Sequence, residues 1–570
     1  MTETTDRGSF RAVVDAPEEL LERANRAPEP TEFVVTPERL HRRNLKRRLA
    51  QRATPRSSLW LTDATAIAAR LLDADDSPSE TIDRIDRLNH LETLLQRDTD
   101  ANERLRAAVG SDLPARVETI AAAHSRVAEM TGWGAGRLDA LDSLAEDLPA
   151  VAARDTADVL AGVRALEQGL RDRVGAVHSR ETLLPAAAEA LRERPELWDD
   201  VFPAAERLSV AGVSAVDAPL LSLLEATTAA GVDVSLSLRP GTGPAIVDRL
   251  PDRLGDDTTL SIDGHGASVG PVLGAAELVA DGPEAEARFA AAVVAGHLRN
   301  GVSPSDVLVV ARDAAEYERH LRRALGRYDV PVAVWAQLPV EHTVPYRQFA
   351  GLCTLLGTDE PTVDELLTPL EFDWVPPECA AEAADPTPWP LSTELIGDLR
   401  EAIAQPSGEE QRALPVDEWG DRLSDAVDGD DLATERAGLL RRYLDWIVEQ
   451  PEMPEPAALH GTFEPLVEAG REVALSAVFA SDDSDLSRTS RYARALSRIE
   501  ELLTDTRAKY REWLDAGEVP RSWLAVADLA ERVVTTRPGR REHANAAAVD
   551  VIDGTDAWLR DAPHVVAVGL

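Results

Sequence analysis

Short apolar runs alternate with helical periodicity at both ends of this chain, and long stretches of purely helical spacing separate them. Residues 10–14, 32–35, 59–62, 208–211 and 232–238 read as strands. Between them, the spacing predicts helices over 18–27, 38–51, from Ala64 onward, and over 218–228. Alternating strand and helix implies a parallel sheet. Residues 80–200 are rich in Ala, Leu, Arg and Glu with few strand formers, so a helical insertion is expected inside that sheet.

The plan then repeats. An acidic start at Glu284 leads into a helix whose positions Phe289, Val293, Val294, His297 and Leu298 recur at helical spacing. A hinge at 300–304 follows, then the run Val307, Leu308, Val309, Val310, which suits a strand buried on both faces of a parallel sheet. A helix over 317–326 and the segment 328–332 come next. Helical composition returns over 345–540, broken by proline-rich or acidic loops at 373–390, 405–417 and 481–485. Strands come back at 548–552 and 565–568. The expected fold class is α/β, with two parallel-sheet domains each interrupted by a helical insertion. The expected bounds are 1–80 with 200–270 for the first sheet domain and 81–199 for its insertion. The second sheet domain takes 271–345 with 541–570, and its insertion 346–540.

Charge changes the picture of the surface more than of the fold. The chain of 570 residues has 101 acidic against 60 basic residues, net −41, and Lys46 and Lys509 are the only lysines, so the other basic residues are arginines. Such a composition resembles proteins of a halophilic archaeal cytosol, where salt at 1 M screens charge to within about 3 Å and carboxylates keep their hydration. A cytoplasmic location is expected. No run of 18 apolar residues argues for a membrane span, and the polar, acidic N-terminus does not read as a secretory signal. Cys353 and Cys379 are the two cysteines, too few for a structural zinc site and not expected to be bridged in a reducing compartment.

Candidate chemistry is largely a matter of missing parts. A phosphate-cradling loop needs glycines and a lysine, and after the first strand the chain reads Val13, Val14, Asp15, Ala16, Pro17, Glu18, Glu19. Neither lysine follows a glycine loop. After the strand at 208–211 come Gly212, Val213 and Ser214, where an ATP-driven motor would place an Asp-Glu pair for magnesium. The turn at 554–558 lacks His and Lys-Gly. The glycine-rich stretch 263–270 has no lysine and reads as a linker between the two sheet domains. One basic concentration stands out: Arg39, Arg42, Arg43, Lys46 and Arg47 fall at offsets of three, four, seven and eight, which places them on one helical face. Such a face can track phosphates or simply be solvated.

In the order of its elements over 284–356, the chain resembles the second motor domain of UvrD-like superfamily 1 helicases. It is most similar to the B subunit of AddAB/RexAB-type helicase–nucleases, a class with worn-out helicase motifs. The resemblance implies two RecA-like domains in the UvrD arrangement. It implies that Arg312, just past the strand at 307–310, occupies the place of an arginine that reaches the γ-phosphate. It implies that Val34, Val35, Thr36 and Pro37 with the basic helix form an early motif touching the backbone of single-stranded DNA, so Thr36, Arg39, Arg42, Arg43, Lys46 and Arg47 are the expected DNA contacts. Further arginines at 488, 491, 494 and 498 and at 537, 540 and 541 could extend the track. The B subunits often hold an iron–sulfur cluster on four cysteines, which two cysteines cannot supply. They end in a magnesium-dependent nuclease domain, which here would follow Leu570, since the strand at 565–568 would continue in the family. No catalytic residue or metal ligand is expected within the chain itself, and no cofactor. The expected partners are single-stranded or broken double-stranded DNA and a UvrD/AddA-type ATPase subunit, with no membrane. The implied role is a non-motor, DNA-holding part in double-strand-break repair; a divergent active helicase and a non-enzymatic scaffold are the alternatives.

Overall fold

The computed structural model describes residues 8–569 except 15–16, 38, 252–253, 255–259, 264–273, 336, 339, 379–388, 405–412, 430–431, 481–485, 537–538, 541–547 and 561. The chain forms two compact units, Met1–Val334 with Ala544–Leu570, and Trp335–His543. The expected linker over 264–270 and Cys379 lie outside the described residues, as does most of the loop over 405–417.

Unit one holds two sheets. The strands of the first are β1 (Phe10–Val14), β2 (Glu32–Val35), β3 (Leu59–Thr62), β4 (Arg207–Val213), β5 (Asp233–Leu238) and β6 (Leu260–Asp263). They run in the order β3-β2-β4-β5-β1-β6, every pair parallel. The second sheet uses β7 (Val307–Ala311), β8 (Val332–Val334), β11 (Val549–Asp553) and β12 (His564–Val568) in the order β12-β7-β11-β8, again parallel. Between β8 and β11 in the sequence, β9 (Gln337–Leu338) and β10 (Gly539–Arg540) form a small antiparallel ribbon in unit two.

The apolar runs became the interior strands because both their faces are covered. Phe10, Ala12, Phe33, Leu208, Val210, Val234 and Leu236 pack in one core with the helices Ala64–Ala74, Arg180–Glu193 and Ala218–Ala229. At about 25 cal/mol per Å² of apolar surface removed from water, this core is the main stabiliser of the sheet. A charged residue is buried on the opposite face of the sheet, the face of Val34. Glu32, 4 % exposed, begins β2 and accepts two hydrogen bonds from Arg23, both at 2.9 Å, and one from the Ser209 hydroxyl at 2.5 Å. Three donors at one carboxylate offset the cost of burying it.

The structure differs from the expected helix stripe near the second sheet. Helix Pro283–Arg299 turns Ala287, Ala290, Ala291, Val294 and Ala295 inward, and leaves Phe289 and Val293 exposed. Alanine lets the helix approach the sheet closely, and the larger residues lie on the outer rim. The strand β6 was not legible as such, because its sequence Leu-Ser-Ile-Asp is short and polar.

The stretch between β3 and β4 is helical. Helices Asp100–Val109 and Ala150–Val174 come so close that a Cβ on Gly162 would stand 2.3 Å from Leu105. A polar network is buried nearby: Arg87 Nη2 donates to His124 Nδ1 at 2.6 Å, and His124 Nε2 lies 3.0 Å from Glu167. Glu181 faces Arg87 at 3.4 Å and Arg171 holds the other oxygen of Glu167 at 2.6 Å. Unit two is a helical body from Val344–Leu356 to Trp523–Thr536. Its centre is aromatic, with Trp374 edge-on to Tyr443, Trp389 and Trp446, and with Trp419 Nε1 donating to Pro361 O at 2.9 Å.

The network around His124 gives a sign for pH. Burial and the adjacent Arg87 hold the imidazole below its ordinary 6.5 despite the pull of Glu167, since a ring that accepts from a guanidinium is neutral. The unfolded chain therefore takes up a proton first, so this contribution is complete above pH about 6.5 and is lost as pH falls below it. We expect the midpoint of thermal unfolding to drop between pH 8 and pH 5.5 in the parent, and to drop less in His124→Gln. Equal drops in the two would contradict the assignment.

Candidate nucleic-acid interface

The basic helix Arg39–Gln51 follows β2 through Thr36 and Pro37. It is held from below by Leu45 and Leu49, which pack with Leu20, Leu21, Val34, Leu59 and Ala211. At 100° per residue the five basic positions cover an arc of about 140°. Arg42 and Arg47 fall at its two edges, and Arg43 and Lys46 in the middle. The geometry of neighbours then sorts them. Arg42 donates to Thr62 O at 3.0 Å and stands 3.6 Å from the Asp63 carboxylate, while Arg47 stands 3.6 Å from Asp550. Arg43 and Lys46 are exposed. Thr36 is buried, 4 % exposed, and the Arg39 side chain lies outside the described residues. The basic face of the sequence thus has intramolecular partners for Arg42 and Arg47 at its rims, and Arg43 and Lys46 exposed along its crest.

The helix has a second polar side that the sequence analysis did not single out. Asn44 Nδ2 donates to Asp556 O at 3.0 Å and to Trp558 O at 2.9 Å, and the buried His41 ring meets Trp558 edge-on at 5.5 Å. These contacts join the first sheet to the turn after β11. The same turn reaches the end of β4. There the register shifts between Ala211 and Val213, and Gly212 takes φ +74°, a left-handed conformation that favours glycine. A Cβ on Gly212 would lie 2.4 Å from the Trp558 ring. Arg239, just past β5, donates Nε to Gly212 O at 2.9 Å and Nη2 to Thr555 O at 2.6 Å, and the same Nη2 lies 2.6 Å from His41 Nε2. Two motif losses noted in the sequence, at 212–214 and at 554–558, therefore stand against each other.

The helix that follows β1 is acidic in its first turn. The short helix Pro17–Arg23 opens with Glu18, 2.5 Å from Arg52, and Glu19, which Arg11 holds at 2.5 and 3.0 Å. Gly243 presses on Val14 from the other side, where an added Cβ would be 3.0 Å from a Val14 methyl. Arg312 is exposed after β7, its backbone N–H bonded to Val568 O at 3.1 Å. The helix N-terminus beside it is already capped: Asp313 accepts from Ala315 and Glu316, and Asp553 accepts from Ala314 at 2.6 Å. Among the described residues no group of three or more His, Cys, Asp or Glu could hold a metal ion, and no helix is long and apolar enough to cross a membrane. Buried Cys353 has its thiol pushed up by desolvation.

The remaining arginines of the expected track lie in unit two. Arg498 pairs with Glu501, Arg494 is half-buried and has a partner, and the side chains of Arg488, Arg491, Arg537, Arg540 and Arg541 are outside the described residues.

Residues 7–262 match the family model described as "Halobacterial UvrD-like protein". That stretch takes in the first sheet, its helical insertion and the basic helix, so this part of the chain is UvrD-like in sequence. No curated protein matches the chain.

The Gly212 contact is open to a coupling measurement. Gly212→Ala should lower stability by more than about 1 kcal/mol, from the clash and the positive φ together. In a Trp558→Ala background the clash is gone and only the backbone term persists, so the same change should cost less. Equal costs in the two backgrounds, read by thermal unfolding, would contradict the packing described.

Proposed function

We propose that the chain is a non-motor, DNA-holding, helicase-like part of an AddB-like helicase–nuclease, acting on broken DNA ends beside a UvrD-type ATPase subunit. The observation that carries the reading is the pairing of a disabled nucleotide site with a basic crest. Glu18 and Glu19 stand where phosphates would be cradled, and Trp558 covers Gly212 where a metal-holding acid pair would be needed. Yet in a chain of net charge −41, Arg43 and Lys46 are presented to solvent on a helix anchored at both rims. A concentrated patch can attract a polyanion against a repulsive net charge once salt shortens the range of that repulsion. The UvrD-like sequence of residues 7–262 supports a helicase-related role. The two sheets are read as RecA-like, with Arg312 a vestige of a γ-phosphate contact.

Charge reversal of the crest, Arg43→Glu with Lys46→Glu, should weaken single-strand binding regardless of sequence. It should flatten the salt slope by roughly 1.4, from about 0.7 for each lost contact. The fold should survive, since exposed positions rarely cost more than about 0.5 kcal/mol. An unchanged slope would leave the helix a solvated face.

Nucleotide chemistry gives a second check. The isolated chain should not turn over ATP with single-stranded DNA present, and Arg312→Ala should leave DNA affinity unchanged. ATP turnover that falls tenfold in Arg312→Ala, about 1.4 kcal/mol, would establish a live motor instead.

A further inference from the structure

The second sheet ends on one side at β12, which among the described residues pairs with β7 alone. Val568 O accepts from the Arg312 N–H at 3.1 Å. In a parallel ladder each residue turns both its peptide groups to one side and the next residue turns them to the other. His564, Val566 and Val568 therefore face β7, while Val565 and Ala567 face outward. Both outward residues are exposed, Val565 at 57 %. Helix Pro283–Arg299 lies along the same edge: the His297 ring is 4.2 Å from that of His564, and the Gly569 N–H donates to Glu286 at 2.9 Å. Two large apolar residues of this helix, Phe289 and Val293, are exposed as well. An unpaired strand edge accompanied by bare apolar side chains is a template for another strand.

The edge matches itself. The contacts of His297 with His564 and of Glu286 with Gly569 put the middle of β12, near Val566, beside the middle of the helix, near Ala291. Val565 and Ala567 stand one residue to either side of the first point, and Phe289 and Val293 two residues to either side of the second. A two-fold axis through these midpoints sets β12 antiparallel to its copy, with Val565 of one chain opposite Ala567 of the other. Those pairs are of the hydrogen-bonded kind, because both residues turn their peptide groups outward. The same axis brings Phe289 of one helix toward Val293 of the other. It also sets the acidic first turn of one helix, with Glu284, against the basic last turn of the other, with Arg299. We infer that the β12 edge binds a second copy of this chain, joining two four-stranded sheets into one. The inference stands apart from the DNA-holding reading. A net charge of −41 on each copy opposes association, but salt near 1 M cuts the range of that repulsion to about 3 Å.

Sedimentation equilibrium on the full chain, at salt concentrations where it is folded, reads the assembly. The parent should be dimeric. Val565→Pro removes an outward N–H and spares the ladder to β7, since an edge strand tolerates proline at such a position. It should raise the dissociation constant of the dimer by at least about tenfold. Phe289→Glu, on the exposed side of the helix, should do the same and serves should Val565→Pro not fold. Val151→Glu, at an exposed position of the helical insertion, carries the same change of net charge and should leave the constant near the parent's. Val566→Cys reads the register. On the axis it forms a non-hydrogen-bonded pair with its copy, the Cα atoms about 4.5 Å apart and within disulfide range, so mild oxidation should cross-link this variant and not the parent. A parent that stays monomeric up to about 100 μM overturns the inference. So does a dimer that survives both edge variants or fails to cross-link in Val566→Cys, which places the contact on another surface. A monomer whose Val565 and Ala567 amides resist hydrogen exchange overturns it too, the edge then being taken by residues of the same chain.

Discussion

The contact between the Trp558 indole and the backbone of Gly212 governs how the two sheets of the first unit are joined. It needs a residue without a side chain at the end of β4, a register shift to lift that residue toward the ring, and a left-handed φ that glycine adopts at little cost. Arg239 closes the arrangement by bonding Gly212 O and Thr555 O at once, and Asn44 adds two bonds to the same turn. Apolar packing and saturated backbone carbonyls at one place resist relative movement. A carboxylate side chain at position 212 is incompatible with that packing.

The same joint explains the fate of the basic helix. Its apolar side is spent on Leu45 and Leu49, its polar back on the turn after β11, and its rims on Thr62, Asp63 and Asp550. What faces outward is a small cationic crest on an anchored support. In an acidic chain that is a sharper electrostatic feature than the same residues would make on a mobile helix, because the charges stay in register with one another.

Interior strands were legible in the sequence where both faces are buried: Phe10–Val14 and Val307–Ala311 are nearly continuous apolar runs, and no other element type explains them so simply. The weak strand β6 was not, since Ser261 and Asp263 interrupt its run. The helix Pro283–Arg299 was found by its period but its buried face was not, because hydrophobicity alone ranks Phe289 and Val293 above the alanines that pack closest. For the site, local spacing placed Arg42, Arg43, Lys46 and Arg47 on one arc, yet could not divide rim from crest, which depends on Thr62, Asp63 and Asp550. Arg239 and the meeting of Gly212 with Trp558 bring together positions some hundreds of residues apart, and no local pattern signals them.

The most direct test of a locked, non-motor core is a distance. Spin labels placed on exposed positions of the first sheet's helices and of helix Ala314–Gly326, read by pulsed dipolar spectroscopy, would report the separation of the two sheets with and without ATP and magnesium. The account predicts one narrow distribution, unchanged by nucleotide and broadened in Trp558→Ala. A shift to a shorter distance on adding ATP to the parent would mean that the sheets close on nucleotide, and would contradict it.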